Sequence, residues 1–175
     1  MDLPATGWRL PDDACALLAR LVTEHRPELI VECGSGRSTV VLAEAIADYA
    51  GVVVALEHDP VYAGETDALL LLSGRRAQVR DAPLESGWYA RSAWEDLHRI
   101  GMLVVDGPPG LAGKLSRQPA LPLLRDRLLP GCVIVLDDVD RPDEQEIMRA
   151  WGMTDWPGLT YVQHEKATLA YAVLP

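Results

Sequence analysis

Residues 31–39 read VECGSGRST, and the fold turns on how that stretch is read. The apolar run at 29–31 stops at an acid, Glu32, and a cysteine, Cys33. Two glycines, Gly34 and Gly36, then flank Ser35. Helical spacing starts at once: Val40, Val41, Leu42, Ala43 and Ile46 give 37–50 an apolar face that ends at Gly51, with Ser38 and Thr39 placed to begin and cap it. A short buried strand, a glycine turn and a helix bring backbone close to something that side chains would obstruct. A nucleotide phosphate, a dinucleotide pyrophosphate and another adenosine-bearing molecule all fit that description.

The same alternation extends in both directions. Upstream, Ala14, Leu17, Leu18, Leu21 and Val22 recur at helical spacing, Asp12 or Asp13 can cap the start, and Pro27 closes the helix. Downstream, β-branched VVVALEHDP (52–60) reads as a strand, 60–73 as a helix and AQVRD (77–81) as a strand. A loop at 82–89 leads to a helix over 90–100, the strand MLVVDGPPG (102–110), a helix over 118–128 stopped by PGC, the strand VIVLDD (133–138) and a helix near 142–151. Two β-like runs, LTYVQHE and TLAYAVL, close the chain as a hairpin turning at Lys166 and Ala167. Nearly all-apolar strands joined through helices demand a parallel sheet covered on both faces. The expected fold is α/β, a doubly wound, mostly parallel seven-stranded sheet with an antiparallel C-terminal hairpin. It forms one domain over 1–175, in which 1–11 is irregular.

Totals narrow the function. A net charge of −10 leaves no basic face for phosphates, so nucleic acid is not an expected partner. No apolar stretch approaches a membrane span and no basic-then-apolar leader opens the chain, so no membrane partner is expected. Cys15, Cys33 and Cys132 are odd in number, widely spaced and set in apolar contexts, which points to reduced thiols in a cytoplasmic protein. Phe is absent, so Leu, Val, Ile, Ala and five Trp must fill the core.

Ligands of doubly wound sheets bind at the C-terminal ends of the strands. Six acids fall there: Glu32, Glu57, Asp81, Asp106, Asp137 and Asp138. A P-loop requires GxxxxGK[ST], but Arg37 follows Gly36 and position 31 is Val. A dinucleotide fingerprint requires GxGxxG, and Thr39 stands in the third place. VECGSGRST followed by VVALEHDP resembles the cofactor motifs of class I S-adenosylmethionine (SAM)-dependent methyltransferases, and nearly the whole chain shares in the likeness. The resemblance implies that Gly34, Ser35 and Gly36 cradle SAM. It implies that Glu57 accepts the ribose hydroxyls, with His58 near the adenosine, and that Asp81 and Ala82 contact adenine. Glu32 would meet the ammonium end, directly or through water. An NAD-dependent or aminopropyl-transfer enzyme on a related fold stays open, as does a non-catalytic binder of an adenosine ligand.

Asp106, Asp137 and Asp138 end two strands that neighbour each other in such a sheet. Three converging carboxylates suit a hard divalent cation such as Mg²⁺. The trio is similar to that of metal-dependent O-methyltransferases of the macrocin and catechol type, although the catechol type has Asp followed by Asn where this chain has Asp137–Asp138. That resemblance implies a metal on Asp106, Asp137 and Asp138, with Asp106 and Asp138 as the catalytic candidates, and a small-molecule acceptor methylated on oxygen. The acceptor pocket is expected around 106–109, Trp88, Tyr89, Arg117 and 138–141, with Trp8 and Leu10 closing it. Lys114 and Arg117 either recognise an anionic group on the acceptor or pair with the acidic rim. No inserted lid is visible, so a homodimer or the N-terminal segment is expected to cover the site.

Overall fold

Helix α1 (Asp12–His25) leads into β1 (Leu29–Cys33), the glycine turn and α2 (Arg37–Ala45). The structure, a computed structural model, describes residues 10–164 and 168–175. Trp8 and the turn at Lys166 and Ala167 lie outside the described residues. Then follow β2 (Val52–Glu57), α3 (Pro60–Ser73), β3 (Gln78–Asp81), a small hairpin of β4 (Leu84–Glu85) and β5 (Trp88–Tyr89), and β6 (Ile100–Val105). Helix α4 (Ala120–Leu124), β7 (Leu128–Leu136), α5 (Pro142–Ala150), β8 (Val162–His164) and β9 (Leu169–Val173) complete the chain.

Seven strands form one sheet in the order β3-β2-β1-β6-β7-β9-β8. The five from β3 to β7 run parallel, while β9 is antiparallel to both β7 and β8. The order reverses between β1 and β6, which sets a crevice at their C-terminal ends. Period-2 alternation divides the interior. Ile30, Val53, Met102, Val133 and Val135 face α1 and α2, whereas Val31, Leu56, Leu103, Ile134 and Leu136 face Trp88, Trp94, Leu121 and Trp151. The tryptophans therefore do the work of the missing phenylalanines. The indole N–H groups of Trp94 and Trp151 donate to the carbonyls of Tyr89 and Gln118 at 3.1 and 2.9 Å.

Some sequence expectations change. The helix over 90–100 is a single 3₁₀ turn at Arg91–Ala93. Arg80 takes the carbonyl of Ala93, and Arg127 takes those of Glu95 and Leu97, so distant guanidiniums hold carbonyls that a helix would bond internally. The helix over 118–128 shortens to α4 plus one 3₁₀ turn, with Pro119 and Pro122 supplying no N–H. PGC (130–132) lies within β7, at a register break opposite Ile100 and Met102, and Gly131 adopts φ +77° there.

Candidate functional site

The first wall comes from the exit of β1. Gly34 has φ +98°, a conformation L side chains rarely adopt, and its N–H donates to the Leu56 carbonyl at 2.9 Å. A Cβ there would meet only ordinary contacts, 3.6 Å from the backbone at 106–107, so conformation rather than space selects this glycine. The tight approach is at Gly107, which sequence reading passed over as part of a turn. A Cβ on Gly107 would run into the Tyr89 hydroxyl and come within 3.1 Å of the Gly34 nitrogen. The two strand exits on either side of the switch point are thus in backbone contact.

Glu32 lies beneath this loop. Its Oε2 accepts from Thr39 Oγ1 at 2.6 Å, and the same hydroxyl accepts from the Gly36 N–H at 2.9 Å. The carboxyl is wholly buried, and desolvation pushes its pKa from the ordinary 4.5 up to about 7. Oε1 has no hydrogen-bond partner among the described residues. Glu32 and Gly36 do not line the cavity described below, so Glu32 shapes the loop from behind it.

Glu57 ends β2 and faces the cavity. Oε1 accepts from the N–H groups of His58 and Asp59 at 2.8 and 2.9 Å and lies 3.0 Å from His58 Nδ1. Oε2 accepts from Ser35 Oγ at 3.2 Å. Asp59 in turn caps α3 through the Val61 N–H at 2.8 Å. Asp81 sits beside Glu57 in the ladder, and the Ala82 N–H donates to the Glu57 carbonyl at 2.7 Å. Neither Asp81 nor Ala82 lines the cavity; the neighbouring wall is Leu84. Tyr62, which the sequence did not flag, joins Ser35, Glu57 and His58 on this side.

At the other end Asp106, Asp137 and Asp138 do converge, each offering a carboxylate oxygen within 4.8 Å of the others. A buried guanidinium stands among them. Arg117 Nη2 donates to Asp138 Oδ2 at 2.9 Å, to Asp106 Oδ1 at 3.3 Å and to the Asp106 carbonyl at 2.9 Å. Its Nη1 donates to the Asp137 carbonyl at 3.0 Å. Arg141 reaches Asp138 from solvent at 2.9 Å, and Thr168 Oγ1 donates to Asp137 Oδ1 at 3.2 Å. Burial, then the Asp137 carboxylate, holds Asp106 well above the usual carboxylate range. Burial, then Asp138, raises Asp137 as well. Three converging carboxylate oxygens are the donors a hard cation takes, so the donor set fits a divalent ion. Lys114, paired with Glu146 on the surface at 3.6 Å, and Arg117, enclosed by acids, leave no basic pair facing an acceptor.

One cavity of about 800 Å³ joins the two ends. It runs from Ser35, Glu57 and Tyr62 past Tyr89 to Asp106, Asp137, Asp138 and Arg141, with Leu10 and Pro11 along one side and Pro109, Leu111 and Ala112 along another. Trp88 is core rather than wall. The Gly34 turn and the acid at the end of β2 meet at one end of this cavity, where the sequence placed the cradle of an adenosine-bearing cofactor.

These features belong to a methyltransferase. The chain is a member of the methyltransferase domain family, whose model matches residues 31–139, from the strand before the glycine turn to just beyond the acid trio. The family decides for a class I SAM-dependent methyltransferase and against a dinucleotide enzyme. Comparison by sequence with curated proteins yields no match. Among solved structures, an O-methyltransferase from Bacillus cereus in complex with SAH superposes with a TM-score of 0.75 at 19% identity, over 97% of this chain and 84% of that one. The O-methyltransferase TomG from Streptomyces achromogenes, in complex with SAM, gives 0.72 at 22% identity over 99% and 83%. The SAH-bound methyltransferase PaMTH1 from Podospora anserina gives 0.75 at 14% identity over 98% and 82%. At such identities the likeness speaks to the fold, and the expected seven-stranded layout is the one observed. No helix of the described residues is long and apolar enough to cross a membrane.

Proposed function

We propose that this chain transfers the methyl group of SAM to an oxygen of a small-molecule acceptor, with Mg²⁺ held by Asp106, Asp137 and Asp138. The observation that carries the reading is the single cavity with Glu57 at one end and the acid trio at the other. That solved structures of the same fold include O-methyltransferases supports oxygen as the target. When bound, SAM supplies a methyl group on a sulfonium centre, and Mg²⁺ lowers the pKa of an acceptor hydroxyl.

The chain's own part is alignment. Glu57 Oε1 already receives the backbone N–H groups of His58 and Asp59, which leaves Oε2, with Ser35 on it, as the acceptor for a ribose hydroxyl. Gly34 and Ser35 present the backbone of the turn, while Glu32 fixes the turn through Thr39. His58 lines the adenosine side, with Asp81 and Ala82 behind it. Leu10, Pro11, Leu111 and Ala112 give the cavity apolar lining. Asp138 or Asp106 takes the proton of the acceptor hydroxyl.

Calorimetric titration tests this with S-adenosylhomocysteine and NAD, each with and without Mg²⁺. Binding of the homocysteine compound alone, plus a Mg²⁺ heat that disappears in Asp106→Ala, is expected. Equal methyl transfer to hydroxylated acceptors in EDTA and in Mg²⁺ would remove the metal. Absence of S-adenosylhomocysteine binding would remove the whole reading.

A further inference from the structure

We infer that Arg117 is the positioning residue of the acceptor end, holding the exits of β6 and β7 and the loop 107–119 so that the acid trio faces the cavity. This deepens the reading above and rests on it for the identity of that end. The last ladder bond between β6 and β7 runs from the Asp137 N–H to the Val105 carbonyl at 3.1 Å. Beyond it the strands diverge, and the carbonyls of Asp106 and Asp137 need donors from elsewhere. The Arg117 fork supplies both, at 2.9 and 3.0 Å, and so adds one more rung made by a side chain. The same group fixes Asp138 Oδ2 and Asp106 Oδ1 and lies 3.7 Å from Glu144 on α5.

Three further observations separate this from ordinary ion pairing. Arg117 is 3% exposed, in a place where a charge survives only when surrounded by partners. Asp138 has φ +60°, uncommon for a residue with a side chain, and Arg117 and Arg141 hold it from both sides. The loop that carries Arg117 also builds a cavity wall through Pro109, Leu111 and Ala112. That loop is pinned near the arginine by Ser116 Oγ to the Pro108 carbonyl and by the Leu115 N–H to Asp143 Oδ2, both at 3.2 Å. One planar fork thus sets the trio and the wall together, which the point charge of a lysine cannot do.

The test compares wild type with Arg117→Lys and Arg117→Gln in three measurements: S-adenosylhomocysteine affinity, Mn²⁺ affinity by electron paramagnetic resonance, and amide hydrogen exchange. Expected are an S-adenosylhomocysteine Kd within about threefold of wild type and Mn²⁺ binding weakened at least tenfold. Exchange should quicken in 107–119 and 137–141 but not in 32–39 or 57–62. Wild-type exchange in all four segments would overturn the inference. So would exchange that quickens everywhere or folding lost in both variants, since either assigns Arg117 to the fold as a whole. If wild type binds no Mn²⁺, the metal reading falls by itself. The exchange pattern and the S-adenosylhomocysteine affinity then decide on Arg117: a change confined to the acceptor end supports it, and any other pattern overturns it.

Discussion

Glu32 gives the sharpest prediction because its burial is complete and its proton is linked to folding. In the folded chain the carboxyl keeps its proton up to about pH 7, while the unfolded chain releases it near the ordinary 4.5. Between those values the folded state binds more protons, so stability must fall as pH rises. The contribution is fully present below pH 4.5 and lost as pH passes 7. At ~1.4 kcal/mol per pH unit the loss over that window is about 3 kcal/mol. Glu32→Gln removes the titration while keeping the shape and an acceptor for Thr39. Its amide places a donor where Oε1 now lacks a partner, a cost of about 1–3 kcal/mol that does not depend on pH. The diagnostic is therefore the slope and not the level. Urea unfolding of both proteins from pH 4 to 8.5 should show wild type losing about 3 kcal/mol relative to the variant between pH 4.5 and 7, with no further change above. Asp106 and Asp137 titrate in both proteins and cancel in the difference. Stability curves that run parallel through this window would refute the argument, and with it the idea that Glu32 supports the glycine turn as a neutral acid.

Three other outcomes follow from the site. Glu57→Ala should weaken S-adenosylhomocysteine binding roughly 100-fold by calorimetry, since a hydrogen bond to a charged group is worth about 1.5–3 kcal/mol and the His58–Asp59 turn loses its acceptor as well. Gly107→Ala should cost about 1–3 kcal/mol in chemical denaturation through overpacking. Tyr89→Phe in the same chain should return part of that loss, because the obstructing atom is a buried hydroxyl with no hydrogen-bond partner among the described residues. Asp138→Asn should cut methyl-transfer turnover at least tenfold while leaving the S-adenosylhomocysteine Kd within about threefold, measured in parallel on the same preparation.

Much of this was legible in the residues. Alternating apolar runs and helical spacings imply a parallel doubly wound sheet, and such a sheet brings acids that end strands to one edge. Gly34, Glu57 and the acid trio could be found that way because each sits one to three residues past an apolar run. Sequence reading failed where the deciding partner was far away along the chain. Nothing local in 90–100 shows that Arg80 and Arg127 will take its carbonyls. Nothing in DGPPG shows that Gly107 is needed because Tyr89 and Gly34 arrive there from other strands.

Arg117 makes the same point for function. In KLSRQPALP it reads as one of a basic pair with Lys114, which either recognises an anionic group on the acceptor or pairs with the acidic rim. The fold separates them: Lys114 stays in solvent, while Arg117 turns inward to meet carboxyls that are individually unremarkable in sequence. Four of those, Asp106, Asp137, Asp138 and Glu144, surround two guanidiniums, Arg117 and Arg141, so the cluster retains negative charge even with both arginines in place. Burial and neighbouring carboxylates raise the pKa values of Asp106 and Asp137, which relieves part of that excess. A divalent ion held by Asp106, Asp137 and Asp138 would neutralise that excess and would lower the pKa of an acceptor hydroxyl. The buried arginine restrains three acids that would otherwise repel one another, and it leaves a residual charge that a divalent cation could neutralise.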